Sequence, residues 1–381
     1  MASQFDKVKK MNEVFLKTRV FSGEDSLSRL GVLKNKKVWV ISDAFLVDNG
    51  TINQVTGNIN ASCTVEVCKD VIPDPPLENV ASGVAKLHDV QPDVVIGFGG
   101  GSAIDTAKGI IYFAQFSGYK KPVTFIAIPT TAGTGSEVTS VTVITDKQLE
   151  TKHLIASHDM LPDEVILCPS LTASVPPAIT ANTGLDVLTH VVEAYVSKNP
   201  TAYSDALAEK GTEMVFQYLG QCYHDGSNLD ARGKMQEASN IAGSAFNIAG
   251  LGMNHAIAHQ LGGTFHIPHG LANALILSEV IRKNAQDAYM CNRYATLACK
   301  LGFVAAGTPD KQAVQVFCDK IEALKREMRM PLKITDCKVS AIEFRAKLPE
   351  ICSNALKDGC VESARKVFTV PEIEQVLLNV L

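Results

Sequence analysis

Short apolar runs alternate with amphipathic segments along the first half of the chain. The runs are rich in β-branched residues and are bounded by polar or turn-forming residues, which predicts buried strands. One helix is predicted over residues 77–88, after a rigid turn formed by Pro73, Asp74, Pro75 and Pro76. The predicted strands cover residues 37–41, 93–98, 123–128 and 165–167. Strands that alternate with helices in this way are typical of an α/β domain.

In the second half, apolar residues recur at helical spacing, and we find no convincing alternating strand. The change falls near Pro176 and Pro177, so we place a domain boundary at about residue 175. The predicted helices cover residues 205–219, 232–249, 254–261, 271–283 and 311–327, and a last helix begins near Pro371 and ends at Leu381. The sequence therefore predicts an α/β domain over residues 1–175 and an all-helical domain over residues 176–381.

Composition and charge narrow the class of protein. The 381 residues are 46% hydrophobic and 20% charged, with a net charge of −4, which is ordinary for a globular protein. This charge gives no sign of a nucleic-acid partner, and no apolar run is long enough to cross a membrane. The ten cysteines form no C-x-x-C pair and we find no export signal, so we expect reduced thiols in a cytoplasmic protein.

A glycine-rich segment, GGGSAIDTAK, directly follows the second predicted strand and begins at Gly99. Glycines admit a phosphate to the backbone, and a helix beginning near Ser102 would offer it free N–H groups. The alternative is a tight strand-to-helix turn. Asp43, at the end of the first predicted strand, could accept hydrogen bonds from an adenosine ribose and would repel a 2′-phosphate, which favours NAD over NADP. The alternative for Asp43 is a turn-forming aspartate.

The third predicted strand continues into PTTAGTGSEVTS, residues 129–140, which is rich in hydroxyl groups and glycines. Thr130, Thr131 and Thr134 could donate hydrogen bonds to phosphate or amide groups, unless the segment is a polar surface loop. Lys152 follows a little further on and could reach a ribose or a pyrophosphate, although most single lysines face solvent.

Four of the chain's nine histidines lie within the segment NHAIAHQLGGTFHIPHG. His255 and His259 are four residues apart and would share one face of a helix. We expect Gly262 and Gly263 to loosen or end that helix. Because His269 follows a proline, a loop histidine and a helical histidine can converge on one point.

Asp186 and His190 repeat the four-residue spacing on another predicted helix. A carboxylate and several imidazoles from two segments suggest a divalent metal site, for which Fe(II) or Zn(II) is suited. The alternatives are an ordinary helix-surface pair and buried core histidines. Phosphate-binding elements in one domain and metal ligands in the other predict hydride transfer in a cleft between them, with the metal polarising a carbonyl.

Four segments, GGGSAIDTAK, PTTAGTGSEVT, NTGLDVLTHVVEAY and HAIAHQLGGTFHIPHGLANA, resemble those of the iron-dependent (group III) alcohol dehydrogenases. The resemblance covers nearly the whole chain. It is strongest to the propanol dehydrogenases of propanediol-utilisation microcompartments, through FSGEDSL, SDAFL, VPPAITANTGLDVLTH and DALAEK, and ethanolamine-associated alcohol dehydrogenases are also similar. It implies a dehydroquinate synthase-like fold, in which an N-terminal dinucleotide-binding α/β domain precedes a helical metal-binding domain. It also implies a homodimer or a higher homo-oligomer.

The resemblance further implies NAD as cofactor and Fe(II) as metal, with zinc as the alternative. The implied metal ligands are Asp186, His190, His255 and His269. His259 matches a histidine beside the nicotinamide and is a candidate proton carrier. The residues matched to the alcohol pocket are Val141, Phe246 and Cys360. The residues matched to the dinucleotide are Asp43, Gly99, Gly100, Gly101, Ser102, Asp105, Thr130, Thr131, Thr134 and Lys152.

The expected activity is reversible, NADH-dependent reduction of a short-chain aldehyde such as propanal or acetaldehyde. Val141 stands where some diol-oxidising relatives carry asparagine, which removes a partner for a second substrate hydroxyl. Arg365 and Lys366 stand where the family usually has an asparagine–proline–arginine turn. If these two residues face the pocket, an anionic aldehyde such as sulfoacetaldehyde becomes the alternative substrate.

Two other kinds of protein fit less well. A lyase of the dehydroquinate synthase type needs basic residues for its phosphate-bearing substrate, and the ligand region is nearly free of them. An inactive, shell-docked protein would not need the intact ligand set.

Phe5, Val8, Met11 and Phe15 recur at helical spacing. They predict either an ordinary first helix or a docking helix for a partner enzyme or a microcompartment shell, so the enzyme would act in the cytoplasm or inside a bacterial microcompartment.

Overall fold

The computed structural model describes residues 14–147 and 151–381, and that part of the chain contains eight strands and thirteen α-helices. The strands are β1 (Arg19–Ser22), β2 (Lys37–Asp43), β3 (Thr64–Val71), β4 (Val94–Gly99), β5 (Thr124–Pro129), β6 (Val141–Asp146), β7 (Thr151–Ala156) and β8 (Glu164–Leu167). The helices are α1 (Ala44–Asp48), α2 (Ile52–Thr56), α3 (Leu77–Val90), α4 (Gly101–Phe116), α5 (Pro177–Val196), α6 (Ala202–His224), α7 (Leu229–Ala249), α8 (Met253–Phe265), α9 (His269–Asn284), α10 (Ala288–Lys300), α11 (Asp310–Glu327), α12 (Ala341–Ala355) and α13 (Val370–Asn379).

Six strands form one parallel sheet in the order β1-β8-β5-β4-β2-β3, and β6 pairs with β7 in a separate antiparallel hairpin. From β2 the chain moves outward to β3 and then returns to the other side of β2 as β4. The direction of winding therefore reverses between β2 and β4, whose carboxyl ends are Asp43 and Gly99. Ligands of open parallel sheets bind in the crevice at such a switch point.

The four strands that the sequence predicts are β2, β4, β5 and β8. The sequence does not predict the edge strands β1 and β3 or the β6–β7 hairpin. β3 carries Thr64, Glu66, Lys69 and Asp70, and only two of its eight residues are buried. Central strands are recognised in the sequence by an apolar run, and an edge strand of this kind has none.

Helices α5 to α13 form the second half of the chain around a large apolar core. The predicted helices correspond to α6, α7, α8, α9, α11 and α13, and the helix predicted to carry Asp186 and His190 is α5, whereas α10 and α12 are not predicted. The predicted fold class, an α/β domain followed by a helical domain, is confirmed. The boundary expected at about residue 175 falls in the connection between β8 and α5 and stays a prediction. Within the described ranges, no helix is long and apolar enough to cross a membrane.

The expectation that Gly262 and Gly263 end α8 is wrong. The helix continues through both glycines to Phe265, and it ends where His266 takes a left-handed conformation with a φ of 54°. A glycine inside a helix costs about 1 kcal/mol relative to alanine. The buried residues of α8, among them Leu261, anchor the helix strongly enough to tolerate this cost.

The hydroxyl-rich segment, residues 129–140, joins the two halves of the molecule. A Cβ placed on Gly135 would lie 2.6 Å from the Cα of Gly243 in α7, so the backbones touch here. The side chain of Asn247, also in α7, accepts a hydrogen bond from the backbone N–H of Ser140 at 2.8 Å. The segment therefore lies between the carboxyl edge of the sheet and the helical half.

Candidate metal and cofactor site

Four side chains converge on one point of the helical half. Asp186 and His190 belong to α5, His255 belongs to α8, and His269 is the first residue of α9. The carboxylate of Asp186 lies 4.0 Å from Nε2 of His190, 3.7 Å from Nε2 of His255 and 3.4 Å from Nε2 of His269. One ligand atom from each residue lies within 4.8 Å of the others, a spacing that one metal ion can span.

Two further side chains hold these ligands, one from α5 and one from α9. Glu193, seven residues after Asp186, lies 2.5 Å from Nδ1 of His255. Asn273, four residues after His269, donates a hydrogen bond to Oδ1 of Asp186 at 2.8 Å. Sequence analysis missed both residues, although spacings of seven and four place them on the ligand-bearing faces of their helices.

Burial and charge together set the protonation of the cluster. Burial raises the pKa of Asp186, but electrostatic interactions with the surrounding histidines and the hydrogen bond from His255 outweigh it and hold this pKa well below its ordinary value. Burial lowers the pKa of His190 to about 3. Burial also lowers the pKa of His255, but Glu193 and Asp186 outweigh it and raise the pKa to about 9. The cluster therefore presents an ionised carboxylate and a neutral imidazole, which are metal-binding forms, and a metal would replace the proton on His255.

The donor set fits iron or zinc. One carboxylate and three imidazoles suit borderline divalent metals, and the cluster contains no thiolate. Because Nδ1 of His255 faces Glu193, its Nε2 is directed at the other ligands. Carboxylate–histidine pairs of this kind orient the ligands of metal sites and raise their basicity.

A glycine lets α9 approach α5 at the metal cluster. A Cβ placed on Gly270 would lie 2.2 Å from the carbonyl oxygen of Asn182 and 3.3 Å from the Cβ of Asp186. Gly270 directly follows the ligand His269. A larger residue at this position would therefore push His269 and Asp186 apart.

His259 and two of the predicted pocket residues surround the cluster. The ring of His259 stacks on that of His269 at a centroid distance of 5.3 Å. The ring of Phe246 lies 4.5 Å from that of His190. Cys360 is buried, and burial raises the pKa of its thiol well above the ordinary value, so the thiol stays neutral.

Sequence analysis missed the carboxylate partner of His259. Oδ2 of Asp358 lies 2.8 Å from Nδ1 of His259, and Cys360 belongs to the same cluster of potential ligand atoms. Burial raises the pKa of Asp358, but the hydrogen bond and charge interaction with His259 and the hydrogen bonds from Cys360 together outweigh that effect and lower the pKa. Because the two residues are 99 positions apart, no local spacing predicts the pair.

Asp43 and the glycine-rich loop meet at the switch point of the sheet. Gly99 ends β4 with a φ of 145°, and a Cβ placed on it would lie 3.4 Å from Oδ2 of Asp43. The other carboxylate oxygen of Asp43 accepts the backbone N–H of Leu46. Gly100 precedes the first turn of α4, which contains Ser102. A helix N-terminus beside a carboxylate at a strand end is the arrangement that binds the pyrophosphate and ribose of a dinucleotide.

The three predicted threonines lie over these glycines. The backbone N–H of Thr130 is hydrogen-bonded to the end of β4. Oγ1 of Thr131 would be 3.7 Å from a Cβ on Gly100, and Oγ1 of Thr134 would be 3.0 Å from a Cβ on Gly101. The hydroxyl-rich segment and the glycine-rich loop therefore form two sides of one crevice.

Asp105 makes hydrogen bonds within the protein, and its predicted contact with the dinucleotide stays a prediction. Its carboxylate is enclosed and accepts hydrogen bonds from Oγ of Ser136 at 2.5 Å and from the backbone N–H of Val143. Burial raises the pKa of Asp105, and the nearby Lys108 acts in the opposite direction. These contacts indicate that Asp105 positions the hydroxyl-rich segment.

Two other predicted residues lie on the hairpin. Val141 begins β6, and its carbonyl accepts a hydrogen bond from Nζ of Lys108 at 2.8 Å, which fixes the backbone at this position. Lys152 lies in β7 opposite Thr145. The side chain of Lys152 lies outside the described residues.

The two basic residues that could have attracted an anionic substrate are engaged with other side chains. The guanidinium of Arg365 is exposed and lies 3.7 Å from the ring centroid of Tyr289. Nζ of Lys366 lies 3.2 Å from the carboxylate of Glu372.

Fold and site together define a class of protein. A dinucleotide crevice at the switch point of a parallel sheet and a carboxylate–histidine metal cluster in the helical half are the parts of a metal-dependent dehydrogenase. In such an enzyme the metal polarises a substrate oxygen and the nicotinamide exchanges a hydride.

Comparison with known proteins gives the family. The family model described as iron-containing alcohol dehydrogenase matches residues 17–169, and the model for the C-terminal part of the Fe-containing alcohol dehydrogenase family matches residues 180–381. The chain belongs to the iron-containing alcohol dehydrogenase family. It is an oxidoreductase that interconverts alcohols and aldehydes with NAD and iron.

Several relatives match over nearly the whole chain. The 1-propanol dehydrogenase PduQ of Salmonella typhimurium is 44% identical over 371 residues, which are 97% of this chain and 100% of the relative. A 1,3-propanediol oxidoreductase of known structure has a TM-score of 0.90 and 32% identity, covering 98% of this chain and 100% of its own. A sulfoacetaldehyde reductase from Bifidobacterium kashiwanohense, solved with NAD+, has a TM-score of 0.85 and 27% identity, covering 98% and 99%.

Substituting Gly270 by alanine should weaken metal binding by about tenfold to a hundredfold, the range seen when the support of a ligand is lost. The physical reason is the 2.2 Å approach of the new Cβ to the Asn182 carbonyl, which forces α9 away from α5. Competition with a chelator of known affinity measures the effect.

Gly263→Ala in α8 is the matched control, because its new Cβ meets no atom within 4 Å. The control should keep its metal affinity and gain helix stability of about 1 kcal/mol. Equal metal affinity in Gly270→Ala and the unsubstituted protein would contradict the requirement for close packing.

Proposed function

We propose that this alcohol dehydrogenase reduces short, uncharged aldehydes, with propanal and acetaldehyde preferred, and oxidises the corresponding alcohols in reverse. The supporting observation is the environment of the ligand cluster, where Phe246, His259 and the neutral thiol of Cys360 lie, while Arg365 and Lys366 are engaged elsewhere. Similarity to a 1-propanol dehydrogenase over 97% of the chain supports the same class of substrate.

Some residues of the helical half would bind the metal, and others orient its ligands. When bound, the metal acts as a Lewis acid toward the substrate oxygen. The residues that would hold it are Asp186, His190, His255 and His269. Glu193 orients His255 through Nδ1. Fe(II) is the proposed metal, and Zn(II) is the alternative that the same donor set suits.

His259 is the proposed proton carrier. Hydride transfer to a carbonyl leaves an alkoxide, which needs a proton before the alcohol can leave. His259 stacks on the ligand His269, and 35% of its side chain is exposed. It can therefore exchange protons both with the product and with water.

The α/β half is proposed to bind NADH in preference to NADPH. Oδ2 of Asp43 faces Gly99 at the switch point, where it can accept hydrogen bonds from ribose hydroxyls and would repel a 2′-phosphate. The proposed pyrophosphate contacts come from the glycine-rich loop with Ser102 and from the hydroxyl groups of Thr130, Thr131 and Thr134.

We also propose that the chain forms a homodimer or a larger homo-oligomer and acts inside a bacterial microcompartment of the cytoplasm. Support comes from the helical spacing of Phe5, Val8 and Met11, which lie outside the described residues. Phe15 ends this pattern and is 41% exposed, with its ring edge-on to His158 at 5.0 Å. An apolar pattern at helical spacing in the sequence suits docking to a partner.

Anaerobic NADH oxidation by the Fe(II)-loaded enzyme should show a higher kcat/KM for propanal and acetaldehyde than for sulfoacetaldehyde, with lactaldehyde also below propanal. The physical reason is that Arg365 and Lys366, the two basic residues considered for a sulfonate, are engaged with Tyr289 and Glu372. The double substitution of Arg365 and Lys366 by alanine is the matched control and should leave kcat/KM for propanal unchanged. A hundredfold preference for the sulfonate, about 2.7 kcal/mol of transition-state binding, would overturn the substrate assignment.

Substituting Asp43 by serine should raise the ratio of kcat/KM for NADPH to that for NADH by at least about tenfold, which is about 1.4 kcal/mol. Serine keeps an acceptor for the N–H of Leu46 but removes the charge that repels a 2′-phosphate. Asp48→Ser, at the end of the helix that Asp43 caps, removes an exposed carboxylate that pairs with Lys69 and should leave the ratio unchanged. An unchanged ratio in Asp43→Ser would argue against the cofactor role of this carboxylate.

Deleting residues 1–13 should leave kcat/KM for propanal unchanged but remove the enzyme from isolated microcompartments, because the apolar positions needed for docking are lost. Quantifying the enzyme in purified shells measures the effect, with full-length protein as reference. Continued encapsulation of the truncated chain would refute the docking role.

Light scattering that gives the mass of a single chain would refute the proposed oligomer.

A further inference from the structure

A second carboxylate–histidine pair lies beside the metal cluster. Nδ1 of His259 is 2.8 Å from Oδ2 of Asp358, and the His259 ring lies 5.3 Å from that of His269 and 5.9 Å from that of His255. The pair thus borders two of the ligands without belonging to the four-residue ligand set.

Asp358 is held by the surrounding backbone. Its second carboxylate oxygen accepts the N–H of Cys360 at 2.9 Å and caps a short 3-10 helix. Ser363, at the end of that helix, is hydrogen-bonded through Oγ to both the N–H and the carbonyl of Leu251, at 3.0 and 2.9 Å. Leu251 lies two residues before the start of α8, which carries His259. The carboxylate and the imidazole are therefore tied to the same piece of backbone.

The charge of Asp358 determines which nitrogen of His259 carries hydrogen. An ionised carboxylate can only accept hydrogen bonds, so Nδ1 must donate and keep its hydrogen. In the neutral ring, Nε2 is then the acceptor. The Asp358 side chain is 14% exposed and that of His259 is 35% exposed, so the hydrogen bond is sheltered while the ring stays accessible.

We propose that Asp358 is a positioning residue that keeps the hydrogen of neutral His259 on Nδ1, so that Nε2 exchanges a proton with the substrate oxygen. This inference rests on the proposed role of His259 as proton carrier. In aldehyde reduction, the hydride brings the electron pair to the carbonyl carbon. The Nε2–H bond of the imidazolium breaks, the O–H bond of the alcohol forms, and the ring is left neutral with hydrogen on Nδ1. Oxidation of the alcohol reverses each step.

Asp358→Asn tests this assignment with little change of shape. The new amide keeps an oxygen for the N–H of Cys360 but presents its NH2 group to Nδ1 of His259, which must then accept. The hydrogen of the neutral ring moves to Nε2, where a lone pair is needed. Oxidation of 1-propanol should lose about a hundredfold in kcat, within the range of acid–base catalysis, with unchanged KM for NAD and unchanged metal content.

Asp287→Asn is the matched control. Asp287 caps α10 through the backbone N–H of Met290 at 3.0 Å, so its substitution alters a helix cap of the same domain. Its kcat should stay that of the unsubstituted enzyme. An unchanged kcat in Asp358→Asn would overturn the inference.

A double-mutant cycle separates positioning from a general structural role. If Asp358 acts through His259, Asp358→Asn should cause no further loss of kcat in a His259→Ala background. An equal loss in both backgrounds would overturn the inference. Full activity of His259→Ala would instead refute the proposed role of His259 itself.

The tautomer can also be observed directly, without turnover. In zinc-loaded protein containing 15N-labelled histidine, the nitrogen spectrum should place the hydrogen of neutral His259 on Nδ1, and in Asp358→Asn on Nε2. The same tautomer in both proteins would overturn the inference. If propanal and 1-propanol proved not to be substrates, the proposed function would fail. The spectrum would still test whether Asp358 sets the tautomer of His259.

Discussion

Burying an ionised carboxylate costs several kcal/mol unless opposite charge and hydrogen bonds compensate it. Asp186 is such a group, because only 3% of its side chain is exposed. Its compensation comes from imidazoles on α5, α8 and α9 and from the amide of Asn273. The helices must therefore pack more closely than ordinary side chains allow, and Gly270 permits this against the carbonyl of Asn182. The close packing of the three helices and the formation of a metal cluster are thus a single requirement.

The α/β half is coupled to this cluster through one segment, residues 129–140. Its first part lies over the glycine-rich loop at the switch point of the sheet, and its end is hydrogen-bonded to Asn247 of α7. The neighbour of Asn247, Phe246, places its ring 4.5 Å from the ring of the ligand His190. A continuous set of contacts therefore runs from the dinucleotide crevice to a metal ligand. Because of these contacts, a dinucleotide bound in the α/β half and a metal bound in the helical half can be held at a fixed distance.

Features with a local signal could be predicted from the sequence. The apolar run of β4 predicts a strand whose six residues are all buried. The four-residue spacings of Asp186–His190 and His255–His259 suggest a metal site, whereas the full ligand set is implied by the family resemblance. The edge strand β3 could not be predicted, because its polar residues follow from having a neighbour on one side only. Membership of a motif does not give the partners of a side chain, so the hydrogen bonds of Asp105 with Ser136 and Val143 could not be predicted. Asp358 required the tertiary fold, because 99 residues separate it from His259.

Two histidines of α8 have the same hydrogen-bond arrangement but different proposed roles. Both His255 and His259 have a carboxylate at Nδ1, Glu193 in one case and Asp358 in the other, and in both cases Nε2 is left as the functional atom. Burial distinguishes them, because 1% of the His255 side chain is exposed and 35% of the His259 side chain. A buried imidazole between two carboxylates suits a permanent ligand, whereas a proton carrier must reach solvent after each turnover. The spacing of four residues thus places His255 inside the metal cluster and His259 at its accessible edge, which suits their proposed roles as ligand and proton carrier.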